Sequence, residues 1–176
     1  MHDPNAGFIR CARLIAQADG LLITAGAGLG VDSGLPDFRG DEARPDILMF
    51  GDWGWVESRS EAQHARLNAW RCMVEHLVVI EIGAGTAIPS VRLSGERQGA
   101  PLIRINLREA GTTSGKKVCL SLRGSEAMNG SMNCLARRRF SPRLKEPAPV
   151  ALLPNIGFAL FGDGKAKARL AGLLNC

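Results

Sequence analysis

The sequence predicts an α/β protein built on a parallel sheet with helices on both faces. Three short apolar runs, residues 21–24, 77–82 and 102–105, have the length and composition of buried strands. Segments with helical periodicity precede and separate them, and the first two runs are each followed by a Gly-x-Gly turn. Strands that alternate with helices favour a doubly wound sheet, whose ligands lie at the carboxyl ends of the strands. Both glycine turns are expected at those ends.

The first helix and strand follow from the spacing of apolar residues near the N-terminus. Apolar side chains at positions 8, 11, 12, 15 and 18 recur at helical spacing and predict a helix with one buried stripe. Asp19-Gly20 is expected to end this helix, with Gly20 at the usual glycine cap position. Beyond the first strand we expect a short helical turn within residues 32–37, then extended or loop structure over residues 43–55.

A second helix is predicted from Ser60 to about Glu75. Ser60 and Gln63 match a capping box, in which two side chains accept or donate hydrogen bonds at the first turn. Four residues are expected to share one side of this helix, namely Ala62, Ala65, Ala69 and Met73. The strands over residues 77–82 and 102–105 follow it.

The chain changes character after residue 110. From Gly111 onward it has no sustained period of two or 3.6 residues and is rich in Ser, Gly and basic residues. We therefore predict a domain over residues 1–110 and a basic tail over residues 111–176 that is irregular or partly disordered. Within this tail, residues 165–174 have the pattern of a short helix.

Composition limits the class of protein. A chain of 176 residues, 45% of them apolar, is typical of one globular domain with its own core. It has no apolar run of 18 residues, so no membrane span is expected. The N-terminus lacks a basic segment before an apolar stretch, which argues against a secretory signal and favours a cytoplasmic location.

The net charge of +5 is divided unevenly along the chain. Residues 1–110 carry 11 Arg and 14 acidic residues, a net charge of −3, whereas residues 111–176 carry 11 basic and 3 acidic residues, a net charge of +8. The run Arg137-Arg138-Arg139 is typical of a solvated basic tail, and nucleic-acid binding is not expected without a recognised module. The basic character therefore describes the tail and not the predicted sheet.

The five cysteines are widely spaced and form no Cys-x-x-Cys pair, so neither a disulfide framework nor a zinc site is expected. The first glycine turn is more informative, because Gly26-Ala27-Gly28 ends a strand and is followed by Pro36-Asp37-Phe38-Arg39-Gly40. A strand that ends in glycines lets a phosphate approach backbone N–H groups that a side chain would block. The alternative is a tight turn without a ligand.

This segment resembles the first NAD-binding motif of the sirtuins, the NAD-dependent protein-lysine deacylases. The resemblance implies a Rossmann-like domain that binds NAD, with the phosphates against Gly26, Ala27 and Gly28. It places Phe38 and Arg39 over the nicotinamide-ribose end, next to Asp37. A second piece, residues 44–52, resembles the segment where the acylated peptide adds as a strand, which implies substrate contacts at Phe50 and Gly51.

A third piece resembles the late nucleotide-binding loop of the same family. It contains Gly83, Ala84 and Gly85, continues through Thr86 to Pro89, and is followed by Asn106, which the resemblance places at the adenosine ribose. Both glycine turns and Asn106 fall at carboxyl ends of predicted strands. This agreement between the pattern and the resemblance favours nucleotide binding.

The chain departs from the family between the first two pieces, where only Asp41-Glu42 stands. In sirtuins this interval holds the nicotinamide pocket, the catalytic His-Gly and the zinc-binding cysteine pairs. The resemblance therefore implies an internally truncated sirtuin, shortened near residues 42/43, with no catalytic residue and no zinc. We expect no useful deacylase activity, and an acyl-lysine protein as partner only if the site is completed. The alternatives are a non-catalytic module that binds NAD or ADP-ribose, and a basic interaction protein acting through its tail.

Overall fold

The computed structural model describes residues 4–26, 53–54, 56, 58–111, 117–137 and 157–161. Four helices and five strands lie in these ranges. In chain order they are α1 (Pro4–Gln17), β1 (Gly20–Ala25), α2 (Ser58–Met73), β2 (Leu77–Ile82), α3 (Ser90–Arg97), β3 (Leu102–Ile105), β4 (Lys117–Leu120), α4 (Gly124–Arg137) and β5 (Gly157–Phe161). The structure expected over residues 32–37, 43–52 and 165–174 lies outside the described residues.

The strands form one sheet in the order β4-β3-β2-β1-β5. Strands β1 to β4 are mutually parallel and neighbour one another in chain order, whereas β5 pairs antiparallel with β1 at the other edge. The predicted α/β class with a parallel sheet is confirmed, and the antiparallel strand β5 is an addition to it. Because the parallel strands run in one direction, their carboxyl ends lie along a single edge of the sheet.

One face of the sheet is covered by α1 and α4. The alternating residues Leu21 and Ile23 of β1, with their counterparts on β2 and β3, pack against Cys11, Ile15 and Met128 of these helices. The two helices also approach each other closely, since a Cβ on Gly130 of α4 would lie 2.6 Å from the Phe8 ring. This face is the larger apolar core of the molecule.

The opposite face is covered by α2 and α3. Leu67, Trp70 and Val74 pack on Leu22 and Val79 of the sheet, and α3 lies over β1 and β2. Helices on both faces are thus confirmed. Ala62, Ala65, Ala69 and Met73, which were expected to share one side of α2, are all exposed, and the side that faces the sheet is the one with Leu67 and Trp70. Burial of Leu and Trp removes far more apolar surface from water than burial of Ala does, and this difference decides which side faces the sheet.

Two expected helix boundaries are also wrong. Gly20 is the first residue of β1 and not a helix cap, and a Cβ there would lie 2.5 Å from a Val74 methyl group. Helix α2 begins at Ser58, so Ser60 lies inside the helix and not at its N-cap. At Gly20, close packing of β1 against Val74 rather than the local pattern determines the boundary.

The irregular structure expected after Gly111 is wrong for three segments, one of which is β5 at residues 157–161. Residues 117–120 form the fourth parallel strand, and residues 124–137 form a helix with an amphipathic pattern. The buried side of α4 includes Ser131, whose hydroxyl donates to the Ala127 carbonyl at 2.8 Å. Glycine and serine on the buried side hide the helical period in the sequence. The sheet therefore continues beyond residue 110.

Candidate functional site at the carboxyl edge of the sheet

The two glycine turns meet at the carboxyl edge. The Gly26 N–H donates to the Ile82 carbonyl at 2.9 Å, and the Gly83 N–H donates to the Ile105 carbonyl at 2.9 Å. A Cβ on Gly26 would lie 2.5 Å from the Gly83 carbonyl oxygen and 2.7 Å from the Ala84 Cα. The backbone of the first turn therefore contacts the backbone of the second, and only glycine fits at this contact.

The structure brings five of the predicted cofactor residues to this edge: Gly26, Gly83, Ala84, Gly85 and Asn106. The other predicted cofactor residues lie outside the described residues: Ala27, Gly28, Asp37, Phe38 and Arg39. The same is true of the predicted substrate contacts Phe50 and Gly51.

Arg92 of α3 donates hydrogen bonds to carbonyl groups of the second glycine turn. Its side chain is buried, and it donates to the Ala84 carbonyl through Nε at 3.1 Å and Nη2 at 2.9 Å. It also donates to the carbonyls of Gly85 and Glu109. Sequence reasoning missed this residue, because one Arg in a short polar helix has no local signal that distinguishes it from a surface residue.

Asn106 connects the second glycine turn to the turn after β3. Its Nδ2 donates to the Ala84 carbonyl at 2.9 Å. Its Oδ1 accepts the backbone N–H groups of Arg108 at 2.9 Å and Glu109 at 2.8 Å, as Asn side chains do in Asx turns. Asn106 therefore shapes the edge of the candidate site through its side chain.

Glu109 reaches back to the second glycine turn. Its carboxylate accepts the Thr86 backbone N–H and the Thr86 hydroxyl, each at 2.8 Å, and its Oε2 lies 3.7 Å from Arg92 Nη2. The hydrogen bond from the Thr86 hydroxyl, then that from its N–H, and the charge of Arg92 hold the pKa of this carboxyl below its usual range. Glu109 also was not anticipated from the sequence.

A buried ion network lies under this edge. Glu81 of β2 and Arg104 of β3 form a bidentate pair at 2.6 and 3.0 Å, and neither side chain is more than 3% exposed. Glu96 of α3 accepts from Arg104 at 3.0 Å and from Lys117 of β4 at 2.8 Å. The network joins three strands to the helix that follows the second glycine turn.

The pKa values in this network follow from its contacts. Burial alone would lower the pKa of Arg104, but its hydrogen bond to Glu81 and the charges of Glu81 and Glu96 outweigh burial and raise it. The hydrogen bond from Lys117 and the contact with Arg104 lower the pKa of Glu96. Both shifts favour the charged forms of Arg104 and Glu96.

A group of possible metal ligands lies near the amino ends of the parallel strands. It consists of Asp19, Glu75 and His76, whose ligand atoms lie within 4.8 Å of one another. The Asp19 carboxylate already accepts the backbone N–H groups of Glu75 at 3.1 Å and His76 at 2.7 Å. These bonds tie the end of α1 to the start of β2. The arrangement has a structural explanation at the edge where parallel sheets do not normally bind ligands.

Among the described residues, no cysteine belongs to a group of three or more possible metal ligands. Cys11, Cys72, Cys119 and Cys134 are free thiols on four different elements. Burial raises the pKa of the Cys11 thiol to about 11.

No family model matches the sequence. Comparisons with curated proteins and with solved structures likewise give no significant match. The fold and the contacts at the strand ends define the chain as an α/β protein with a parallel sheet and a polar cluster between the second glycine turn and the turn after β3. None of the helices in the described part of the chain is long and apolar enough to cross a membrane.

Proposed function

We propose that this chain binds NAD at the carboxyl edge of its sheet, in the manner that its resemblance to sirtuins implies. The observation that carries the proposal is the backbone contact of Gly26 with Gly83 and Ala84 on neighbouring parallel strands. Side-chain-free turns at such strand ends allow phosphate oxygens to reach backbone N–H groups. The Gly26 and Gly83 N–H groups donate to strand carbonyls, so the residues that follow each of them would supply these donors. The position also agrees with the general location of ligands in open parallel sheets.

Different residues would contact different parts of the cofactor. Gly26, Ala27 and Gly28 would lie against the phosphates, with Gly83, Ala84 and Gly85 across from them. Asp37, Phe38 and Arg39 would contact the nicotinamide-ribose end, and Asn106 the adenosine ribose. NAD bound in this way would supply an electrophilic ribose carbon, which is the chemistry that sirtuins use.

We further propose that the chain alone does not deacylate lysine. Sirtuin chemistry needs a histidine base near the nicotinamide ribose, and loss of a general base costs about 10²–10⁴ in rate. Loss of the nicotinamide pocket also removes positioning, which contributes on the order of 7–11 kcal/mol. His76 is no substitute, because it precedes β2 and lies a strand length, roughly 20 Å, from Gly83.

Titration of the full chain with NAD in a calorimeter tests binding, and nicotinamide release with an acetyl-lysine peptide tests turnover. We expect micromolar binding without nicotinamide release above the rate without protein. Absence of heat at millimolar NAD would contradict the binding proposal. Clear nicotinamide release would contradict the second proposal and leave the first intact.

A further inference from the structure

The carboxylate of Glu109 accepts two hydrogen bonds from Thr86, one from its backbone N–H and one from its hydroxyl, and lies 3.7 Å from the guanidinium of Arg92. Arg92 is a buried cation, with its side chain only 10% exposed. A backbone amide, a hydroxyl and an arginine are the donors that proteins use to bind phosphate oxygens. The position is therefore suited to an anion, and a carboxylate of the same chain fills it.

The backbone of Glu109 is held independently of its side chain. The Glu109 N–H donates to Asn106 Oδ1 at 2.8 Å, and its carbonyl accepts from Arg92 Nη2. The side chain itself is 41% exposed. The carboxylate can therefore rotate into solvent without opening the turn after β3, and the donors of Thr86 would then face the solvent.

We propose that the two donors of Thr86, beside the positive charge of Arg92, form a phosphate-binding position of the nucleotide site, and that Glu109 occupies this position in the free protein. A phosphate of the nucleotide must displace the carboxylate, so the Glu109–Thr86 contact opposes binding. The inference rests on the proposed function, since the ligand is a phosphate of NAD or ADP-ribose. The Glu109–Thr86 contact should therefore weaken the binding of phosphate-bearing ligands but not the binding of adenosine.

Calorimetry with ADP-ribose and with adenosine tests this contact. Glu109→Gln removes the negative charge at nearly constant shape, and Glu109→Ala also removes the acceptor oxygens. We expect both variants to bind ADP-ribose about tenfold more tightly than the wild type, as expected for release of charged hydrogen bonds. Affinity for adenosine should not change.

Glu61→Gln is the matched control, because Glu61 is an exposed carboxylate on α2 and its loss changes the net charge equally. This control should bind ADP-ribose as the wild type does. Thermal unfolding of each variant verifies that it is folded, and the two substitutions at Glu109 make the test independent of either one alone.

Three results would overturn the inference, and they are distinguishable. Unchanged or weaker ADP-ribose binding by both Glu109 variants, while the wild type binds, refutes the displacement and leaves NAD binding intact. If the Glu109 variants bind adenosine and ADP-ribose more weakly than the wild type, and to the same degree, the carboxylate instead accepts ribose hydroxyls. If neither the wild type nor any variant binds ADP-ribose or NAD, the proposed function itself fails, and the inference fails with it.

Discussion

At Gly26 the backbones of two strand-end turns touch. A methyl group there would meet a carbonyl oxygen at 2.5 Å and a Cα atom at 2.7 Å, and neither can move aside as a flexible side chain does. We expect Gly26→Ala to separate the turns, to lower the free energy of unfolding by about 1–3 kcal/mol, and to weaken NAD binding at least about tenfold, or 1.4 kcal/mol. Calorimetry and urea unfolding measure the two effects.

Gly111→Ala is the matched control for this substitution, since a Cβ at Gly111 meets nothing within 4 Å. It should leave both NAD affinity and stability close to those of the wild type. Equal NAD binding by Gly26→Ala and Gly111→Ala would show that the contact between the turns is not part of the binding site.

The residue scale also shows what local sequence signals miss. The positions of Gly26, Gly83 and Asn106 at strand ends can be predicted, because glycines and asparagine after an apolar run are recognisable without a structure. Arg92 and Glu109 were not found, because their importance depends on carbonyls and donors contributed by other turns. A polar residue in a polar segment has no local signature of such a role.

Among the elements, α3 is the short helix that follows the second glycine turn. This helix has eight residues. Its Glu96 side chain connects it to the sheet through ion pairs with Arg104 and Lys117. A Cβ on Gly95 would lie 3.4 Å from Val79 and 3.6 Å from the Thr24 hydroxyl, so the helix lies close to the sheet. The ion network and the hydrogen bonds of Arg92 together fix the position of α3 and of the turn before it.

Arg104→Met tests this role. Removing the guanidinium leaves Glu81, which is fully buried, without its bidentate partner, and loss of one member of a buried pair costs about 3–5 kcal/mol. We expect the free energy of unfolding in urea to fall by that amount. The double variant Glu81→Leu with Arg104→Met should recover most of the loss, because it leaves no buried charge unpaired. A double variant as unstable as the single one would contradict this explanation.

For the molecule as a whole, the ion network makes stability depend on pH. The folded-state pKa of Glu96 lies below its ordinary value of 4.5, so its contribution is present above pH 4.5 and is lost as pH falls through the lowered pKa. The thermal midpoint should therefore decrease as the solution is acidified below about pH 4.5. Glu96→Gln should show a shallower decrease, and at neutral pH it should cost less than about 1 kcal/mol, since Glu96 is partly exposed.

Exposed carboxylates provide the control for the acid experiment. Glu61→Gln should retain the acid sensitivity of the wild type, because Glu61 lies outside the network. Differential scanning calorimetry between pH 3 and pH 7 compares the three proteins. Identical slopes for the wild type and Glu96→Gln would show that Glu96 does not couple protonation to folding.

The sequence by itself determined the local elements of this protein. Strands β2 and β3 and the glycine turns follow from apolar runs and small residues, which act over a few positions of the chain. Only the tertiary structure decided that the two turns touch and that α2 buries Trp70 and not its alanines. It also decided that β4 and β5 extend the sheet, and that the Glu109 carboxylate accepts the hydrogen bonds of Thr86. These features depend on contacts between residues far apart in the chain, where the free energy of packing and of buried hydrogen bonds outweighs local preference.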